Sequence, residues 1–127
     1  MRQDVRGDIS AHEHAMEMSI QDVVSELVDL LGATTVAVIG GVKETRAVTQ
    51  WMSDSSRQPQ RPHVLRFALQ LATMIASVRD REIVRAWFHG SNPQLGDKMP
   101  MLLLREDELS DVQGKLIAAA RSFAGRP

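Results

Sequence analysis

Between Val36 and Trp51 the chain sets Lys43, Thr45, Arg46, Thr49 and Gln50 within eight consecutive residues. An arginine can pair bidentately with guanine and a glutamine with adenine, while a lysine at the head of such a segment stands where backbone phosphates pass. Thr45, Arg46, Thr49 and Gln50 fall on one face of a helix predicted over 44–52, with Ala47, Val48 and Trp51 on the other. Ahead of it Gly40 and Gly41 supply a tight turn at little steric cost, and Ala37 is the small residue of the preceding helix. Helix, tight turn and helix with a polar outer face is the arrangement that reads base edges in a major groove. The same geometry also occurs as plain packing between helices. Trp51 is assigned to the core, since large aromatics dominate buried area.

Other chemistry is sparse. The chain has no cysteine, which closes disulfides, thiolate zinc sites and cysteine nucleophiles. His12-Glu13-His14 invites a metal reading, but positions i and i+2 do not share a helix face and no third ligand stands nearby. His63 and His89 are isolated, and neither a Gly-x-Ser-x-Gly elbow nor a Walker-type glycine loop is present. The expectation is therefore no enzyme, no metal and no cofactor. Tyr is absent and aromatics make up 4% of the chain, which argues against an RNA-stacking platform.

Charge divides along the chain. Residues 1–30 hold two Arg against seven acidic groups, a balance of −5, and would repel phosphate. From 40 to 66, Lys43, Arg46, Arg57, Arg61 and Arg66 stand against Glu44 and Asp54, a balance of +3 in a chain whose net charge is −1. The positive stretch coincides with the candidate reading segment, so Arg57 joins Lys43, Thr45, Arg46, Thr49 and Gln50 as a candidate DNA contact.

The 127 residues, 43% of them apolar, suit a single all-α domain. After a leader over 1–18, expected to be flexible and acidic, Ile20, Val23, Val24, Leu27, Val28 and Leu31 form the stripe of an amphipathic helix, capped by Ser19 and ended by Gly32. Thr34 is placed to cap a short helix through Ile39, although propensity alone would make 34–39 a strand. Residues 53–62, with Pro59 and Pro62, read as a loop and the joint between a DNA-binding region over 19–62 and a partner-binding, dimerising region over 63–127. The segment 64–78 is apolar all round and is expected to be the central helix. Asp80 caps a helix ending near Gly90, Pro100 opens a short one, and Leu109, Val112, Leu116, Ile117, Ala120 and Phe123 stripe the last. No run suits a membrane span or a secretory leader, so the expected location is the cytoplasm.

The order Trp87, Asn92-Pro93, Leu95-Gly96, then Pro100 followed by Leu102-Leu103-Leu104 resembles the partner-binding region of antitoxins in the Xre/MbcA/ParS family. With the upstream helix pair, the resemblance covers residues 20–124. It implies a small helical protein that dimerises, binds double-stranded operator DNA and neutralises a RES-domain toxin, an enzyme that destroys NAD. It further implies that Trp87, Asn92, Pro93, Leu95 and Pro100 meet the toxin, and that the tail over 120–127, with Phe123 and Arg126, occludes the toxin's NAD cleft. In bacterial repressors of this helix-turn-helix type the inward apolar residue and the Trp lie six and nine positions after the turn glycine. Here Val48 and Trp51 lie seven and ten after Gly41, so the turn is predicted to be one residue longer. A dimer would present its reading helices roughly 34 Å apart, which implies a palindromic operator. The alternative is a helical protein-interaction module without DNA binding.

Overall fold

The computed structural model describes residues 2–125, with side chains from Ile9 onward. Helix α1 spans Arg2–Glu17, α2 Ile20–Leu31, α3 Ala33–Gly40, α4 Thr45–Ser53, α5 Pro62–Ala76, α6 Arg81–His89, α7 Pro100–Glu106 and α8 Leu109–Ala124, with a 3-10 turn at Pro93–Leu95. Among the described residues all regular structure is helical, and the β-type pairing is an isolated bridge between Asn92 and Lys98. The all-α expectation holds. None of the described helices is long and apolar enough to cross a membrane.

The predominantly apolar segment over 64–75, interrupted by Arg66, Gln70 and Thr73, places α5 at the centre. It is buried along nearly its whole length and packs against α1, α2, α3, α6 and α8. One buried cluster therefore runs from Ala11 to Ala120, across the loop over 54–61 without a break. The expected caps form where short polar side chains precede helices: Ser19 Oγ accepts from the Asp22 N–H at 3.1 Å, and Asp80 Oδ1 from the Ile83 N–H at 3.1 Å.

Two local expectations are corrected. Residues 2–17, expected as a flexible leader, form α1, which lies along α5. Over its described side chains the inner face is small: Ala11 and Ala15, one turn apart, are buried and let the two backbones approach. The Arg66 guanidinium donates to the carbonyls of Ala15 (2.8 Å) and Met18 (2.6 Å), closing the end of α1. Met1 lies outside the described residues. Replacing Arg66 by methionine is expected to lower stability by about 1–3 kcal/mol. Urea denaturation measures that loss, and hydrogen exchange should show α1 losing protection first.

The second correction concerns the start of α3. Gly32, at φ 88°, turns the chain directly from α2 into a helix that begins at Ala33, so Thr34 is exposed and is not the cap. Thr35 is the buried threonine instead, sharing a 2.6 Å hydrogen bond with His89 Nε2. Strand propensity over 34–39 yields to packing, because Val36, Ala37 and Ile39 are buried where α3 meets α2, α4, α5 and α7.

Candidate functional site

Helix α3 ends on Gly41, which adopts the left-handed conformation at φ 80° and sends its N–H to the Val38 carbonyl at 3.1 Å. The Val42 N–H closes on the Ala37 carbonyl at 3.0 Å. This is a glycine-dependent helix stop, satisfying carbonyls the helix would leave open. The connection to α4 runs from Gly41 to Glu44. At Gly40 the reason to lack a side chain is steric: a Cβ there would stand 2.7 Å from Trp51 Cη2 and 2.8 Å from Cζ3. Val48 and Trp51 are buried and fasten the inner face of α4 against its neighbours.

The outer face is left to solvent. Lys43, Thr45, Arg46 and Thr49 are exposed and Gln50 is half-buried. Lys43, Arg46, Gln50 and the exposed Arg57 converge on one shallow hollow, together with Val42, Glu44 and Ala47. Thr45 and Thr49 do not line it. The Thr49 hydroxyl donates to the Thr45 carbonyl at 3.4 Å and the Ser53 hydroxyl to the Thr49 carbonyl at 3.0 Å, so both bond along the helix itself. Beside the hollow, Asp54 Oδ1 accepts from the Ser56 hydroxyl (2.6 Å) and the Ser56 N–H (2.9 Å). The hydroxyl contact first, then the amide, hold the Asp54 carboxyl below its ordinary value, with Arg57 a lesser influence. Asp54 thus stays ionised 4.0 Å from Arg57 and offsets part of its charge.

The positive balance over 40–66 is smaller on the surface than in the sequence. Arg66 closes α1, and Arg61 donates to the carbonyls of Leu104 (3.2 Å), Arg105 (3.0 Å) and Asp107 (3.1 Å), closing α7. Those two guanidinium groups are half-buried and spent on the carbonyls of helix ends. Lys43, Arg46 and Arg57 remain as the outward cations of that stretch. Sequence reasoning missed one participant, Arg105, whose guanidinium reaches the turn before α4 from α7.

A second feature gathers the residues singled out near Asn92. Trp87, Asn92, Pro93 and Phe123 line a groove of about 320 Å³ between α6, the 3-10 turn and the end of α8, with Ala86, Gly90, Ala119 and Ser122 among the remaining lining residues. Asn92 Oδ1 accepts from the Gln94 N–H at 2.9 Å and shapes the turn, and the Gln94 side-chain amide donates to Ser122 Oγ at 3.1 Å. Trp87 is 6% exposed, meets Phe88 edge-on with centroids 5.0 Å apart, and its indole N–H has no hydrogen-bond partner. Leu95, the last residue of the 3-10 turn, and Pro100, the first of α7, are buried and do not line the groove. Arg126 lies outside the described residues. The histidines of the first helix are engaged by other helices: His12 Nδ1 donates to Gln70 Oε1 of α5 at 3.3 Å and His14 Nε2 pairs with Glu26 of α2 at 2.8 Å. Among the described residues no cluster of three metal-ligating side chains occurs. No protein-family model, no curated protein and no solved structure matches the chain.

Proposed function

We propose that this chain is a helix-turn-helix DNA-binding protein of antitoxin type, with α3, the turn at Gly41 and α4 as the reading unit. The observation that carries the reading is the hollow on the outer face of α4, where Lys43, Arg46, Gln50 and Arg57 converge while Val48 and Trp51 hold the helix from within. Gln50, half-buried at the hollow, suits an adenine edge, and the three cations suit phosphates or a guanine edge. As a dimer the protein would bind a palindromic operator, and the groove at Trp87, Asn92, Pro93 and Phe123 would receive a RES-domain toxin, with the end of α8 directed at the toxin's NAD cleft.

The test is selection of duplexes from a random-sequence pool, followed by fluorescence anisotropy of the enriched duplex across a salt series. The expected result is a palindromic consensus and a log K that falls linearly with log salt, by about 0.9 per phosphate contacted. Absence of enrichment, with no binding at low salt, rejects the reading. The second reading is a helical interaction module without DNA binding. The internal engagement of Arg61 and Arg66 favours it, since it leaves the candidate face only modestly positive. Co-purification with a RES-domain toxin in the absence of any DNA affinity would select that alternative.

A further inference from the structure

Several helix ends in this protein are closed by an arginine that arrives from a distant part of the chain. Arg66 closes α1, Arg61 closes α7 and Arg85 closes α2 through the Leu30 and Asp29 carbonyls. Arg105 differs in where it lands. Its Nη1 donates to the Val38 carbonyl at 3.0 Å and to the Val42 carbonyl at 3.2 Å, on either side of Gly41. One planar group therefore spans the turn that sets the direction in which α4 leaves α3. Arg105 is itself held, because its carbonyl accepts from Arg61 at 3.0 Å, and Arg61 immediately precedes Pro62 at the start of the central helix α5. The two arginines tie the turn before α4 to the end of α7, and α7 to the head of α5.

We propose that Arg105 is a positioning residue for DNA reading: acting through the turn and never touching DNA, it fixes the attitude of α4. The inference rests on the DNA-binding reading given above. The turn is otherwise held by its own glycine-dependent hydrogen bonds and by Trp51 packing under Gly40, contacts made within α3, the turn and α4, whereas Arg105 ties the turn itself to α7. Base readout tolerates displacements of only about 0.5 Å before bidentate geometry is lost. Phosphate attraction is non-directional by comparison, so loosening the turn removes selectivity before it removes affinity. A guanidinium suits the task, being planar, always charged and able to donate to two carbonyls at fixed spacing.

Arg66 provides a matched control, since its Nη1 also donates to two carbonyls at a helix end, but at α1, far from the turn in sequence. The experiment compares full-length wild type, Arg105→Met, Arg105→Lys and Arg66→Met. The readouts are thermal unfolding, amide exchange at Gly41 and Val42, and affinity for the duplex enriched by wild type against a scrambled duplex of equal length. Arg105→Met should lose about tenfold or more of the preference for the enriched duplex, with scrambled-duplex affinity within about twofold. Its Gly41 and Val42 amides should exchange about tenfold faster. Arg105→Lys should recover part of the preference, and Arg66→Met should keep it within about twofold while melting lower. The proposal is overturned if Arg105→Met retains the preference, or if Arg66→Met loses it to the same degree. Should Arg105→Met fail to fold, Arg105→Lys against wild type decides by duplex preference and by amide exchange at Gly41 and Val42, and wild-type values in both overturn the proposal. Failure of wild type to enrich any duplex rejects the DNA-binding reading itself, a result distinct from equal selectivity in wild type and variant.

Discussion

Trp51→Ala is expected to lower the free energy of unfolding by about 3–5 kcal/mol, the usual range for removing a buried Trp or Phe side chain. The indole is 5% exposed and lies under Gly40, the residue that ends α3. The same contact makes a sharper prediction through a double-mutant cycle. In the wild-type background Gly40→Ala should destabilise by about 1–3 kcal/mol, because the new methyl group meets a rigid ring edge that cannot swing aside. In the Trp51→Ala background that obstacle is gone, and the next atom, Leu65 Cδ2, is at an ordinary 3.9 Å. Gly40→Ala should then be neutral or stabilising by up to about 1 kcal/mol, since alanine is the better helix former. Urea denaturation of the four proteins measures the change of sign. A Gly40→Ala cost that persists without the indole would mean that something other than this contact excludes a side chain there.

The second large effect is on DNA. Combining Lys43→Ala, Arg46→Ala and Arg57→Ala should reduce the salt slope of binding by about 2.7 and weaken binding at moderate salt by about a hundredfold or more. All three side chains are exposed, so stability should change by no more than about 0.5 kcal/mol per site. Thr45→Val and Thr49→Val should have far smaller effects, because Thr49 bonds to the Thr45 carbonyl and both lie off the hollow. Anisotropy at two or more salt concentrations distinguishes these cases. An unchanged slope in the triple variant would place the reading face elsewhere.

Much of the architecture was legible because it depends on local pattern. The stripe from Ile20 to Leu31, the apolar run through α5, and the caps Ser19 and Asp80 each follow from residues within a few positions of one another. The pair Gly40-Gly41 announced the stop; the close approach of Trp51 to Gly40 did not show in the sequence, because it depends on how α4 packs back on α3. Helix α1 was hidden because, among its described side chains, the buried ones are Ala11 and Ala15, which carry almost no hydropathy signal in a charged segment. Arg61 and Arg66 read as surface cations because the carbonyls they meet belong to positions 43 to 51 residues away in sequence. Of the residues near Asn92, the resemblance pointed to Trp87, Pro93 and Phe123, which do share a groove. It could not separate them from Leu95 and Pro100, because spacing does not distinguish a groove wall from the packing beneath it.

Fastening helix ends from afar also has a bearing on synthesis. The carbonyls of Val38 and Val42 are met by a side chain 67 and 63 positions downstream. At about 5–20 residues per second, a ribosome would expose the early helices several seconds before the clasp that squares them could arrive. These carbonyls are thus met late, and a nascent chain stalled before residue 105 would carry α3 and α4 joined by a turn that still lacks its guanidinium clasp.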